Sequence, residues 1–226
     1  MPLKRTSCSA SSLCQNSFMT MLDESQLLEI YFRYLRDRKY VATKIPEGNV
    51  KTPDLLVTRG ERTYCNEFKS PELILNDEMG IFLFKTTYSK LLTFVGTAVK
   101  QLRSYDSNHS HPWIVTFASC HMQLSGSDFA DALSGGMKHF DGSRLPPGFD
   151  KTDVFKRSFE YRYQPDLYLW LQVNPITQSL YQATFVVNDQ SLHRDQVDIA
   201  VADLSQKPLS DMDRYHLLQC STESTH

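Results

Sequence analysis

The strings Pro53-Asp54 and Glu67-Phe68-Lys69 bracket the stretch of this chain with the fewest ways to fold. Asp54-Leu55-Leu56-Val57-Thr58 and the run from Thr63 to Lys69 read as strands, and Arg59-Gly60-Glu61-Arg62 between them has the length and the glycine of a hairpin turn. Side chains alternate across a strand, so Glu67 and Lys69 project together while Phe68 points to the other face. Asp54 opens the neighbouring arm and falls close to Glu67. The hairpin thus gathers two carboxylates and an ammonium at one sheet edge, which suits a hard divalent cation and a phosphate. An acidic-x-Lys triplet alone is a weak signal, since Asp37-Arg38-Lys39 is another, at the end of a charged helical stretch. Strand context and the paired Pro-Asp set the first one apart. The competing reading is an ordinary edge ribbon with a Lys–Glu cross-strand pair.

Upstream, Leu27, Leu28, Ile30, Tyr31, Tyr34 and Leu35 recur at helical spacing and predict a helix from Asp23 to Lys39. Glu24 falls within the arc of Leu27, Leu28, Tyr31 and Leu35, whereas Glu29 lies nearly opposite, as a solvated partner of Arg33. An acid on a buried face needs a partner or a metal, so Glu24 is the candidate for chemistry. Its plainer role is a first-turn acid that complements the helix dipole. Downstream, Leu91, Leu92, Val95, Ala98, Val99 and Leu102 predict a second helix from Tyr88 to Tyr105. Gln101 and Tyr105 stand one turn apart near its end, with Lys100 and Arg103 beside them as candidate phosphate contacts. An apolar strand, Trp113 to Ala118, follows.

This order resembles the PD-(D/E)XK nuclease superfamily: acid-bearing helix, strand with Pro-Asp, strand with Glu-x-Lys, helix with Gln-x-x-x-Tyr, apolar strand. Gln101 and Tyr105 are similar to the extra motif of its recombination-exonuclease branch. The resemblance covers residues 22 to 119, about half the chain. It implies that Asp54 and Glu67, with the backbone carbonyl of Phe68, hold Mg²⁺ or Mn²⁺. Lys69 would orient or help deprotonate the attacking water, and Glu24 would complete the metal shell. Gln101 and Tyr105 would position the nucleic acid. The activity implied is metal-dependent hydrolysis of phosphodiester bonds in DNA. A homodimer would suit cleavage of both strands of a duplex.

A chain of 226 residues with an ordinary hydrophobic share buries a sizeable core. The formal net charge of −2 excludes a global basic field that would coat the chain with nucleic acid. Phosphate contacts must come from local groups, and Lys51, Arg59, Arg62, Lys85, Lys90, Lys100 and Arg103 cluster in sequence about the proposed site. The 5 cysteines are scattered without a Cys-x-x-Cys pair, which favours a reduced, cytoplasmic protein over a zinc or disulfide framework. His109 and His111, close together before a strand, are candidate metal ligands, but their loop-like surroundings favour a structural or incidental role. No apolar run is long enough for a membrane span, and Lys4 and Arg5 are not followed by the apolar region of a secretory signal.

The expected fold is α/β: a restriction-endonuclease-like core with a central mixed β-sheet flanked by helices, and a β-rich C-terminal extension. Residues 1–18 are expected as a flexible segment, 19–125 as the nuclease core and 126–226 as an extension of the same domain. Within the extension the sequence predicts a helix from Ser127 to His139 capped by Ser125 or Ser127. A loop through Asp150 follows, then strands at Phe159 to Tyr163, Leu167 to Val173 and Leu180 to Val187. An edge strand at 196–204 and a helix from Asp211 to Gln219 close the chain. Gln164-Pro165-Asp166 is a second Pro-Asp with no acidic-x-Lys after it, and is read as a turn leading into a strand. The aromatics Phe159, Tyr161, Tyr163, Tyr168, Trp170 and Tyr181 are read as core packing, with base stacking as the other option. The alternative to a nuclease is a catalytically inactive module on the same fold that binds nucleic acid or protein.

Overall fold

In a computed structural model, helix α1 (Glu24–Asp37) starts at a capping box. Asp23 accepts the Gln26 amide at 2.8 Å, and the Gln26 side chain accepts the Asp23 amide at 3.0 Å. Lys39, with φ 63°, turns the chain out of the helix, and the Tyr40 amide donates to the Leu35 carbonyl at 3.0 Å. The structure describes residues 22–46, 48, 51–71, 84–121, 124–134, 161–205 and 211–217, with the backbone alone at 84–88 and 211–214. The N-terminal segment 1–18 and the loop at 141–150 lie outside the described residues.

After α1 come β1 (Val41–Lys44), β2 (Leu55–Arg59), β3 (Arg62–Lys69), helix α2 (Phe84–Tyr105), β4 (Trp113–Ser119) and helix α3 (Gly126–Ser134). The chain continues as β5 (Leu167–Asn174), β6 (Ser179–Asn188), helix α4 (Arg194–Leu204) and β7 (Asp211–Leu217). All the strands form one 7-stranded mixed sheet in the order β1-β2-β3-β4-β5-β6-β7. The β1–β2, β2–β3 and β5–β6 pairs are antiparallel, and β3–β4, β4–β5 and β6–β7 are parallel.

The β2–β3 hairpin closes through Gly60 and Glu61, with Arg59 opposite Arg62. Gly60 takes φ +61° at the first central position, which a primed hairpin turn gives to glycine. Strands β4 and β5 lie inside the sheet with helices over both faces. Their residues are buried throughout β4 and in β5 from Leu167 to Val173, so they read as nearly continuous apolar runs.

Alternation along each strand sorts the core into two layers. Tyr64 and Phe68 of β3, Ile114 of β4 and Leu169 and Leu171 of β5 pack with α1 and α4. Cys65 of β3, Val115 and Phe117 of β4 and Tyr168 and Trp170 of β5 pack with α2 and α3. The same alternation places Glu67 and Lys69 on the α2 face, and that decides what they meet.

The expectation of an α/β fold with a mixed sheet flanked by helices holds. The C-terminal half departs from it in three places. Residues 196–204 are helix, not strand: Val197, Ala200, Val201 and Leu204 recur at helical spacing and are buried, while Ile199 is exposed. The alternation of Val197, Ile199 and Val201 that suggests a strand is overridden by that wider stripe. Asp211–Leu217 is strand, not helix, pairing parallel with Gln182–Asn188 at the sheet edge, where polar and charged side chains are tolerated. Tyr161–Tyr163, expected in a strand, forms a turn closed by the Gln164 amide on the Tyr161 carbonyl at 3.1 Å. The helix expected from Ser127 is capped by Ser125 and begins at Gly126; its continuation past Ser134 lies outside the described residues. Strand β1 carries no apolar alternation that would mark it in the sequence.

Tyr168 and Trp170 are fully buried core residues. Asp166, of the second Pro-Asp, accepts the Trp113 amide at 2.7 Å and contacts His109 Nε2 at 2.6 Å, which fixes the turn that leads into β5.

Candidate active site

The hairpin brings Asp54, Glu67 and Lys69 together through its main chain. Glu67 Oε2 accepts the amide of Asp54 at 3.2 Å, and Asp54 Oδ2 accepts the amide of Phe68 at 2.8 Å. Lys69 Nζ donates to Glu67 Oε1, as i and i+2 neighbours on one face can. The Glu67 side chain is wholly buried and that of Lys69 largely so. Burial pushes the Glu67 carboxyl up to about 7, with the Lys69 charge opposing the shift and Asp54 adding to it.

Helix α2 completes this cluster from above. Gln101 Oε1 accepts from Lys69 Nζ at 3.5 Å, and Gln101 Nε2 donates to the Thr52 carbonyl at 3.1 Å. One amide side chain therefore links the lysine to the segment that leads into Asp54. Beside Asp54 and Gln101 lies a cavity of about 540 Å³, whose lining includes Glu24, Lys44, Lys51, Asp54, Phe68 and Gln101 but not Glu67 or Lys69. Glu24, expected on the buried face of α1, is instead exposed in the first turn, where it lines this cavity. Among the described residues, Glu24, Asp54 and Glu67 do not form a trio with ligand atoms within 4.8 Å of one another.

The other α2 candidates lie elsewhere. Lys100 Nζ stands 5.7 Å from the centre of the Tyr161 ring, and Arg103 donates to Gln164 Oε1 at 2.7 Å. Both engage the 161–164 turn, not the cavity, because successive helical positions fan out by about 100°. Tyr105 is 44% exposed and does not line the cavity. Arg59 and Arg62 both reach Asp203. Arg33 donates to the Gln178 carbonyl at 3.1 Å in place of the expected pairing with Glu29.

Sequence reasoning missed Lys44 and Thr52. Lys44 pairs in register with Leu55, next to Asp54, and the Ile45 amide donates to the Asp54 carbonyl at 3.0 Å. Only the unexpected third strand of the ribbon reveals this neighbourhood.

The donor chemistry fits a small, hard cation. Asp54 spends Oδ2 on the Phe68 amide and keeps Oδ1, while each oxygen of the buried Glu67 carboxylate takes one donor, the Asp54 amide or Lys69 Nζ, and keeps a second lone pair. All the candidate ligands are oxygens, which suits Mg²⁺ or Mn²⁺ better than a softer metal. Comparison with family models, curated proteins and solved structures gave no match to this chain. Among the described residues, no helix is long and apolar enough to cross a membrane.

Proposed function

We propose that this protein is a divalent-metal-dependent nuclease that hydrolyses phosphodiester bonds in DNA, on a restriction-endonuclease-like core. The observation that carries the reading is the interlock of Asp54 with Glu67, with Lys69 bound to Glu67 and to Gln101, and with Asp54 and Gln101 lining an open cavity. Asp54, Glu67 and the Phe68 carbonyl would hold Mg²⁺. When bound, the cation supplies Lewis acidity toward a scissile phosphate and toward the attacking water.

The chain's own residues do the rest. Lys69 offsets charge that develops on the phosphate and orients the water. Gln101 fixes Lys69 against the Thr52 carbonyl. Lys44 and Lys51 line the cavity and give an otherwise acidic chain a local attraction for the phosphate backbone. Glu24 meets the cavity from its rim, where it would hold a water more readily than a metal.

A binding module without catalysis is favoured by one feature: Lys69 already neutralises Glu67 as an internal ion pair. Labelled linear, circular and single-stranded DNA incubated with Mg²⁺, Mn²⁺ or EDTA separates the two readings. Metal-dependent cutting supports the nuclease, and binding without cutting in any metal supports the module.

A further inference from the structure

A second cluster lies on the same face of β3, two positions before Glu67. The ligating atoms of Cys65, Asp106 and His111 all lie within 4.8 Å of one another. They come from β3, the end of α2 and the loop before β4, a spacing no local sequence pattern could reveal. We propose that Cys65, Asp106 and His111 form a binding site for a divalent cation of the Zn²⁺ class, with solvent as the fourth ligand. The cation would staple β3 to the turn that follows α2.

Asp106 is rigidly placed for such a role. Its Oδ1 accepts the Ser110 amide at 2.8 Å, and its Oδ2 accepts the His111 amide at 3.0 Å and the Trp113 indole at 3.2 Å. Oδ1 thus keeps a lone pair, and the three donors act as the outer shell that orients a ligating carboxylate.

The other two groups have no such explanation. His111 Nδ1 is buried without a hydrogen-bond partner, 3.6 Å from Asp106 Oδ2. That is too long for a hydrogen bond, and the oxygen left for a metal is Oδ1, since Oδ2 already takes two donors. Cys65 is a free, fully buried cysteine, and no hydrogen bond to its sulfur is found among the described residues. Soft sulfur, imidazole nitrogen and one carboxylate together select zinc over magnesium. The imidazole of His111 is 43% exposed, which leaves a solvent-facing side for a water ligand. On binding, the thiol hydrogen leaves as a proton to solvent and sulfur binds as thiolate. No electrons are transferred.

The site is independent of the proposed nuclease chemistry and is tested on the full chain. Metal-free protein is titrated with Co²⁺ as a spectroscopic stand-in, then with Zn²⁺ in competition, for wild type, Cys65→Ser, His111→Ala and Asp54→Ala. Expected are a thiolate-to-cobalt charge-transfer band that saturates with one equivalent at the sulfur site, and its loss as Zn²⁺ displaces Co²⁺. The band should vanish in Cys65→Ser, affinity should fall at least tenfold in His111→Ala, and Asp54→Ala should leave both unchanged. Circular dichroism checks that the variants fold, and His111→Ala, at a half-exposed position, carries the test if Cys65→Ser does not. Absence of a thiolate band in wild type, or affinity unaltered in His111→Ala, would overturn the proposal whether or not the protein cuts DNA.

Discussion

Asp54 and Glu67 are each positioned by a main-chain donor of the other's strand: Glu67 Oε2 takes the Asp54 amide, and Asp54 Oδ2 takes the amide that follows Glu67. Their approach is therefore set by strand pairing, not by rotamer choice alone. Two carboxylates so fixed repel unless a proton or a cation offsets them. Here the Lys69 ammonium supplies part of that offset, and burial makes a proton on Glu67 the other part.

This has a pH consequence. The Glu67 carboxyl lies above its ordinary value, so stability from this group is complete in acid and is lost as pH rises from 4.5 through about 7. The interval corresponds to roughly 3 kcal/mol. In EDTA, the wild-type Tm is expected to fall across that window, and Glu67→Gln, which stays neutral, to flatten the slope. Above pH 7, added Mg²⁺ should restore the wild-type Tm and leave that of the variant unchanged. Equal slopes for the two proteins would show that Glu67 does not titrate as its burial demands.

Helix α2 separates its candidates by direction. Gln101 contacts both Lys69 and the Thr52 carbonyl, whereas Lys100 and Arg103 face the 161–164 turn. Gln101→Ala is expected to lower the cleavage rate about 10-fold or more, the scale of losing a positioned catalytic hydrogen bond. Lys100→Ala and Arg103→Ala should stay within a few-fold of wild type. Rates for the 3 variants, measured at saturating Mg²⁺, check this, and equal losses would place the substrate along the outer side of α2.

Beneath the hairpin, Asn66 Nδ2 donates to Thr116 Oγ1 at 2.8 Å and to Tyr31 OH at 3.2 Å, and Thr116 Oγ1 donates to Tyr31 OH at 3.2 Å. All three residues are buried, so Thr116→Val leaves polar atoms of β3 and α1 short of partners. A destabilisation of about 1–3 kcal/mol is expected by urea denaturation. A change below about 0.5 kcal/mol would mean that water enters to replace the hydroxyl.

The hairpin, α1, α2 and the interior strands were legible in the sequence because their signals are local: a glycine turn, wide helical stripes and continuous apolar runs. The trio of Asp54, Glu67 and Lys69 was legible for the same reason, since strand alternation alone puts Glu67 and Lys69 side by side. Lys44 was hidden because Val41–Lys44 shows no alternation, and its strand identity comes only from pairing with β2. The closing segments exchanged types because Val197, Ile199 and Val201 mimic a strand within a helical stripe, and because the pairing of β7 with β6 is long-range and overrides local propensity.

The start of α3 is sterically closed. A Cβ on Gly126 would lie 1.9 Å from Thr184 Oγ1 and 2.3 Å from Thr184 Cβ. Gly126→Ala is therefore expected to cost about 1–3 kcal/mol through displacement of α3 from β6. Thr184→Ala should restore only part of that loss, since its Cβ remains in the way. Thermal denaturation of the single and double variants checks both statements, and a neutral Gly126→Ala would show that α3 shifts freely over the sheet.

The central claim is tested most directly by a time course of circular and linear DNA cleavage in Mg²⁺, with wild type beside correctly folded Asp54→Ala and Lys69→Ala. The account predicts cutting by wild type that EDTA abolishes, and a loss of at least 100-fold in each variant, the scale of removing a positioned charge from a reacting centre. Cutting that survives both substitutions, or no cutting by wild type on any DNA in Mg²⁺ or Mn²⁺, would contradict it.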